Sequence, residues 1–154
     1  MFAHMDISHP QNTKVLAYLA RGKRDVPVVS RPDSVPQPYY QCGCHPDIVE
    51  RLWDQIGAAL PADCRCLVHG TPTLVHPQTC VILAIGIGTQ YGLRCPGGLA
   101  TAAIKAGAKT STTWSGGGEM ETRRDLGEDW VFGAWLPEEL NWCRSVYEGF
   151  NPAS

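Results

Sequence analysis

The 154-residue sequence predicts an α+β fold: one domain with a mainly antiparallel sheet, helices packed on one side, and an N-terminal helix with an extended Pro-rich arm. Three observations lead there. Short strand patterns and helix patterns follow one another without the regular strand–helix repeat of a parallel sheet. The run 80–85 is apolar on both faces, as a central, covered strand requires. The length suits a single domain of common size. With 13 basic against 15 acidic side chains, the chain has neither a polybasic tail nor an acidic disordered composition. The six-residue apolar run falls far short of the roughly 18–20 residues of a membrane span, so no membrane partner is expected. Residues 1–6 carry no basic head or apolar stretch, which leads to the expectation of a cytoplasmic protein. Seven cysteines, an odd number without a secretory signal, are read as reduced thiols packed like small hydrophobes.

Residues 12–21 read as the first helix. Asn12 suits its N-cap, Val15, Leu16 and Leu19 share a face, and Gly22 ends it. Residues 23–40 read as an extended arm, because Pro27, Pro32, Pro36 and Pro38 break any periodicity while Val28, Val29, Tyr39 and Tyr40 need burial. The division is therefore 1–40, helix and arm, and 41–154, compact unit. The arm either wraps its own domain or crosses to a neighbouring subunit.

Pro46 opens a helix to residue 60, with Ile48, Leu52, Ile56 and Leu60 as its buried stripe. Residues 64–68 read as a strand, and 73–76 and 80–87 as a hairpin about a turn at 77–79. A strand at 91–95 leads to an Ala-rich helix, 99–106, closed by Gly107, and then to a Thr-rich edge strand at 109–114. The glycines 116–118 and the charged stretch 119–128 read as a mobile loop that a ligand or partner orders. A strand at 129–135 precedes a helix from Pro137, lined by Leu140, Cys143, Val146 or Tyr147, and Phe150.

Chemistry-bearing patterns are few. Cys42-x-Cys44 and Cys64-x-Cys66 are spaced by one residue where zinc knuckles use two or more, and a helix of about fifteen residues, roughly 22 Å long, separates them. In one strand, Cys64 and Cys66 share a face as core residues would. No metal and no cofactor are expected, and these four cysteines form the alternative set for a zinc or thiol sensor. The glycines at 86, 88 and 92 precede no helix that would hold a pyrophosphate, and no nucleophile elbow exists. Glu119, Glu121, Asp125, Glu128 and Asp129 read as a solvated acidic face rather than a general acid–base pair.

Charge is segregated along the chain. Residues 64–109 hold Arg65, Arg94, Lys105 and Lys109 with no acid, whereas 110–154 hold eight acids and three arginines. The two segments either pair inside the fold or leave a basic patch at Arg94 and the helix start at Gly97 and Gly98, where free N–H groups favour an anion. His69 and His76 flank the bend at Pro72 and are expected to face one sheet edge. The candidate ligand-binding residues are thus His69, His76, Tyr91, Arg94, Gly97 and Gly98. Four basic residues are too few for strong duplex binding, so nucleic acid is not an expected partner. The reading is a non-catalytic interaction or ligand-binding module, a homodimer with a small anionic ligand or protein partner. The alternative is an enzyme acting on a small anionic substrate near Tyr91, Arg94, His69 and His76.

Several short signals fall in order between residues 68 and 150. They are the bend Gly70-Thr71-Pro72, the apolar strand, Tyr91-Gly92-Leu93-Arg94, a short helix closing at Ala106-Gly107-Ala108, the strand with Trp130-Val131, and a last helix with Trp142 and Tyr147. In this pattern the stretch resembles the TfoX N-terminal and YjbR-like domain families. The resemblance implies a small α+β fold and a regulatory or interaction role, and it brings no catalytic residues.

Overall fold

Seven strands, each antiparallel to its neighbours, form one sheet among the residues described by the computed structural model: 10–20, 29–34, 37, 44–88, 90–110, 126, 129–133 and 139–150. In chain order they are β1 (Val29–Ser30), β2 (Arg65–Val68), β3 (Thr71–Val75), β4 (Ile82–Ile87), β5 (Gln90–Arg94), β6 (Lys109–Thr110) and β7 (Trp130–Gly133). The spatial order is β1-β2-β3-β4-β5-β7-β6. The apolar run therefore sits at the centre, as its two-faced composition predicts, and the Thr-rich segment contributes an edge. The α+β class stands. Of the Pro-rich arm, Val29 and Ser30 join the sheet edge opposite Val68 and Leu67. Tyr39, Tyr40 and residues 115–125 lie outside the described residues.

Among the described residues four α-helices pack about the sheet: α1 (Thr13–Leu19), α2 (Pro46–Glu50), α3 (Gly98–Lys105) and α4 (Glu139–Gly149). After Glu50 the helix of α2 continues as a π-helical turn, Arg51–Ile56, and a 3-10 turn, Gly57–Ala59. The predicted stripe Ile48, Leu52, Ile56 and Leu60 is buried, and the wider π turn adds Trp53 to the same core. The Trp53 indole N–H donates to the Thr73 carbonyl at 3.1 Å, tying this segment to β3.

The two faces carry separate cores. On one, α2, α3 and α4 pack Ile48, Leu52, Trp53, Ala103, Trp142, Cys143 and Val146 against Leu67, Leu74, Leu83, Ala84, Tyr91 and Leu93. On the other, Val15 and Leu19 of α1 meet Cys66, Val68, Val75, Ile82, Ile85, Trp130 and Phe132. Three helices thus share one side, and the N-terminal helix covers the reverse side. A β-bulge makes the two faces compatible. Leu74 pairs with Ala84 and Val75 with Ile82, so Leu83 is left over between them. Leu83 and Ala84 consequently both face the three-helix side, and Ile82 is re-aimed toward α1.

Close approach explains two glycines. A Cβ at Gly92 would lie 2.7 Å from the Phe132 ring, and one at Gly86 would lie 3.0 Å from the Cys44 sulfur. The first lets Phe132 lie flat across β5; the second lets the start of α2 sit down on β4.

Candidate functional site

The most concentrated set of buried polar groups lies where α1 crosses the ends of β4, β5 and β7. Arg94 is the last residue of β5 and 2 % exposed. Strand alternation points Leu93 into the three-helix core and Arg94 to the opposite face. Its Nε donates to the Ile82 carbonyl at 2.8 Å, one Nη to the Asp129 carboxylate at 3.1 Å, and the other to the Gln11 carbonyl at 2.9 Å. The guanidinium also lies 5.0 Å from the centre of the Trp130 ring. Burial lowers the pKa of the guanidinium from its ordinary value, and Asp129 works against that shift.

Asn12 completes the cluster. It is fully buried, and its side chain makes no N-cap bond to α1, contrary to the capping role its position suggests. The amide instead donates to the Cys80 carbonyl at 2.7 Å and its oxygen accepts from the Ile82 N–H at 2.9 Å. In effect the side chain adds one rung of a β-ladder to the chain entering β4, where the bulge leaves backbone groups to be satisfied. The predicted charge segregation is resolved here in part, because Arg94 from the basic segment pairs with Asp129 from the acidic one.

At the same end of the sheet but on the other face, His76 turns the chain from β3 toward β4. It is fully buried, and Nδ1 accepts from the Gln78 and Thr79 N–H groups at 3.2 and 3.3 Å. Its ring stacks on Tyr147 of α4, with centroids 4.4 Å apart. Burial pushes the His76 pKa below its ordinary value. Desolvation, with Cys64 as a second cause, pushes the Tyr147 phenol up.

The other residues singled out by sequence fall elsewhere. His69 sits in the β2–β3 turn with φ 49°. The five residues of β3 intervene, so His69 and His76 occupy opposite ends of that strand, roughly 20 Å apart, and do not face one edge. Tyr91 is buried in the three-helix core at the His69 end of the sheet. Gly97 (φ 61°) and Gly98 start α3, which packs on the face away from the Arg94 guanidinium. The six candidates therefore do not converge on one place. His76 and Arg94 share an end of the sheet but point through opposite faces.

Cys44, Cys64, Cys66, Cys95 and Cys143 are buried core residues, and Cys80 is half-buried. Cys64 lies in a 3-10 turn before β2, so strand alternation does not apply to it: it joins the three-helix core, whereas Cys66 joins the α1 core. The expectation of a shared face is corrected accordingly. Burial pushes the Cys64, Cys66 and Cys95 thiols up to about 12. The Cys66 thiol also lies 3.0 Å from the Thr73 hydroxyl. Cys44 is buried beside α2, and Cys42 lies outside the described residues. Among the described residues no group of three or more His, Cys, Asp or Glu side chains is placed to hold a metal ion. Among the same residues, no helix is long and apolar enough to cross a membrane.

Comparison with family models, with curated proteins and with solved structures finds no match to the chain. The roles of Asn12, Gln11 and Asp129 were missed by sequence reasoning. Asn12 carries only the generic signal of a cap, and the contact between residues 12 and 82 is set by the bulge, which no local pattern announces.

Proposed function

We propose that the chain is a small, non-catalytic interaction module that works as a homodimer in the cytoplasm and takes a protein partner or a small anionic ligand. The observation that carries this reading is the use to which the reactive-looking residues are put. Arg94 spends its donors on Ile82, Asp129 and Gln11, His76 accepts from its own turn, and the thiols at 64, 66 and 95 are held protonated. A group so committed is a poor nucleophile or general base. The resemblance to TfoX N-terminal and YjbR-like domains points the same way, toward regulation rather than turnover. Both faces of the sheet carry helices, and Ile104 is the one exposed large hydrophobic among the described residues. The edge strands β1 and β6 are then the surfaces on which a second chain would add backbone hydrogen bonds. The described cysteines form no disulfide with one another, which suits a reducing compartment.

Light scattering on the full chain tests the dimer. The expected mass is twice the 16.8 kDa of one chain, falling toward one chain when Ser30 or Thr110 at the sheet edges is replaced by proline. A single-chain mass at every concentration overturns the homodimer.

A further inference from the structure

Three features at His76 bear on what acid would do to this protein. The ring is fully buried, its Nδ1 is the acceptor for two turn amides, and its face lies against Tyr147 near the end of α4. A neutral ring with an acceptor at Nδ1 must carry its proton on Nε2, and that atom makes no hydrogen bond to the described residues. The titratable group facing the ring is Tyr147, with Cys64 acting on Tyr147 in turn, and no carboxylate pairs with the ring among the described residues. Nothing there rewards a positive charge except the Tyr147 backbone.

We propose that His76 is an acid-operated latch: a proton from solvent added at Nδ1 opens the 76–81 turn and frees the Tyr147 end of α4 from the sheet. Protonation converts the acceptor of two N–H groups into a third N–H facing them. The turn loses both side-chain bonds, and the charge falls on a buried ring with no carboxylate paired to it among the described residues. The closing bonds of the turn, His76 N–H to the Val81 carbonyl and Cys80 N–H to the His76 carbonyl, then hold it with the Asn12 bond to the Cys80 carbonyl, while Cys80 stays at φ 64°, a conformation costly for a residue with a side chain. Release exposes more of the three-helix core at Tyr147 and Phe150, which are partly buried against it in the folded chain. The folded ring titrates below its ordinary 6.5, so the neutral, closed form is favoured. Above that value the latch is indifferent to pH. Below it the open form takes up the proton first, and opening rises by up to about tenfold per pH unit until the closed form also titrates.

Amide hydrogen exchange on the full chain between pH 8 and 5, corrected for the pH dependence of the exchange chemistry itself, tests this. Opening at Gln78, Thr79 and residues 142–150 is expected to rise by up to about tenfold per pH unit below about 6.5, while Ile85 and Leu93 in the central strands stay protected. His76→Asn places an amide oxygen where Nδ1 stood, keeps an acceptor for the turn and cannot titrate. It loses the stack on Tyr147, so its opening is greater at every pH, but the acid rise should vanish. An equal acid rise in His76→Asn, no rise in the natural chain, or simultaneous loss of protection at Ile85 and Leu93 overturns the latch. If His76→Asn does not fold, NMR titration of the natural His76 ring decides. Protonation in step with exposure of the Gln78 and Thr79 amides agrees, and protonation with those amides still protected overturns it.

Discussion

On one face of the sheet, three helices and the π turn bury Leu52, Trp53, Ile56, Trp142 and Val146; on the other, a seven-residue helix supplies Val15 and Leu19. A helix of that length is marginal by itself and brings little apolar area. The structure adds direction instead. Asn12 and Gln11, at the N-terminal end of α1, hydrogen-bond to Cys80, Ile82 and Arg94. Area holds the first face, and a polar clasp supplements a small contact on the second. The difference shows what Asn12 and Arg94 do on the second face: each satisfies backbone groups beside the bulge and the short helix.

If so, substitutions in the clasp should do more damage than the amount of surface they cover suggests. The largest single effect is expected for Arg94→Met. It removes the bonds to Ile82, Gln11 and Asp129 at once and should cost about 3 kcal/mol in urea unfolding, the low end for a broken buried pair because Asp129 is 29 % exposed. An effect under about 1 kcal/mol would mean that the clasp is ornamental. Asn12→Ala comes next, at about 2 kcal/mol, since the Ile82 N–H and the Cys80 carbonyl are both left unpaired.

Gly92→Ala and Gly86→Ala compare the faces directly. The new methyl of the first meets the Phe132 ring at 2.7 Å, and that of the second meets the Cys44 sulfur at 3.0 Å. Gly92→Ala should cost about 2 kcal/mol and Gly86→Ala less, read as the shift in urea midpoint at constant slope. The smallest effect belongs to the apolar face. Trp53→Phe removes the bond to Thr73 but keeps most of the ring, and should cost about 1 kcal/mol. Were Trp53→Phe to cost more than Asn12→Ala, the contrast between the faces would be reversed.

Much of the fold was legible because it depends on local periodicity. The stripe Ile48, Leu52, Ile56 and Leu60, the central position of 82–87 and the buried Cys143 and Val146 follow from apolar spacing alone. The cluster around Arg94 was not. Its members come from residues 11, 12, 82, 94 and 129, and the bulge at Leu83 decides which of them meet. Arg94 and His76 stand out in the sequence as candidate ligand-binding residues, a reading that assumes solvent access, and both are buried. Whether an arginine beside a glycine-rich helix start faces an anion or its own backbone depends on strand alternation, and Leu93, facing the three-helix core, settles it for Arg94.

The most direct measurement is thermal and urea unfolding of a chain beginning at residue 41, followed by circular dichroism and light scattering. Loss of α1 and β1 uncovers Val68, Val75, Ile82, Ile85 and Phe132 and deprives Arg94 of Gln11. The shortened chain is predicted to lose its cooperative transition or to aggregate. A soluble shortened chain with an unchanged melting temperature would contradict the account, because the N-terminal helix would then be no part of what holds the sheet together.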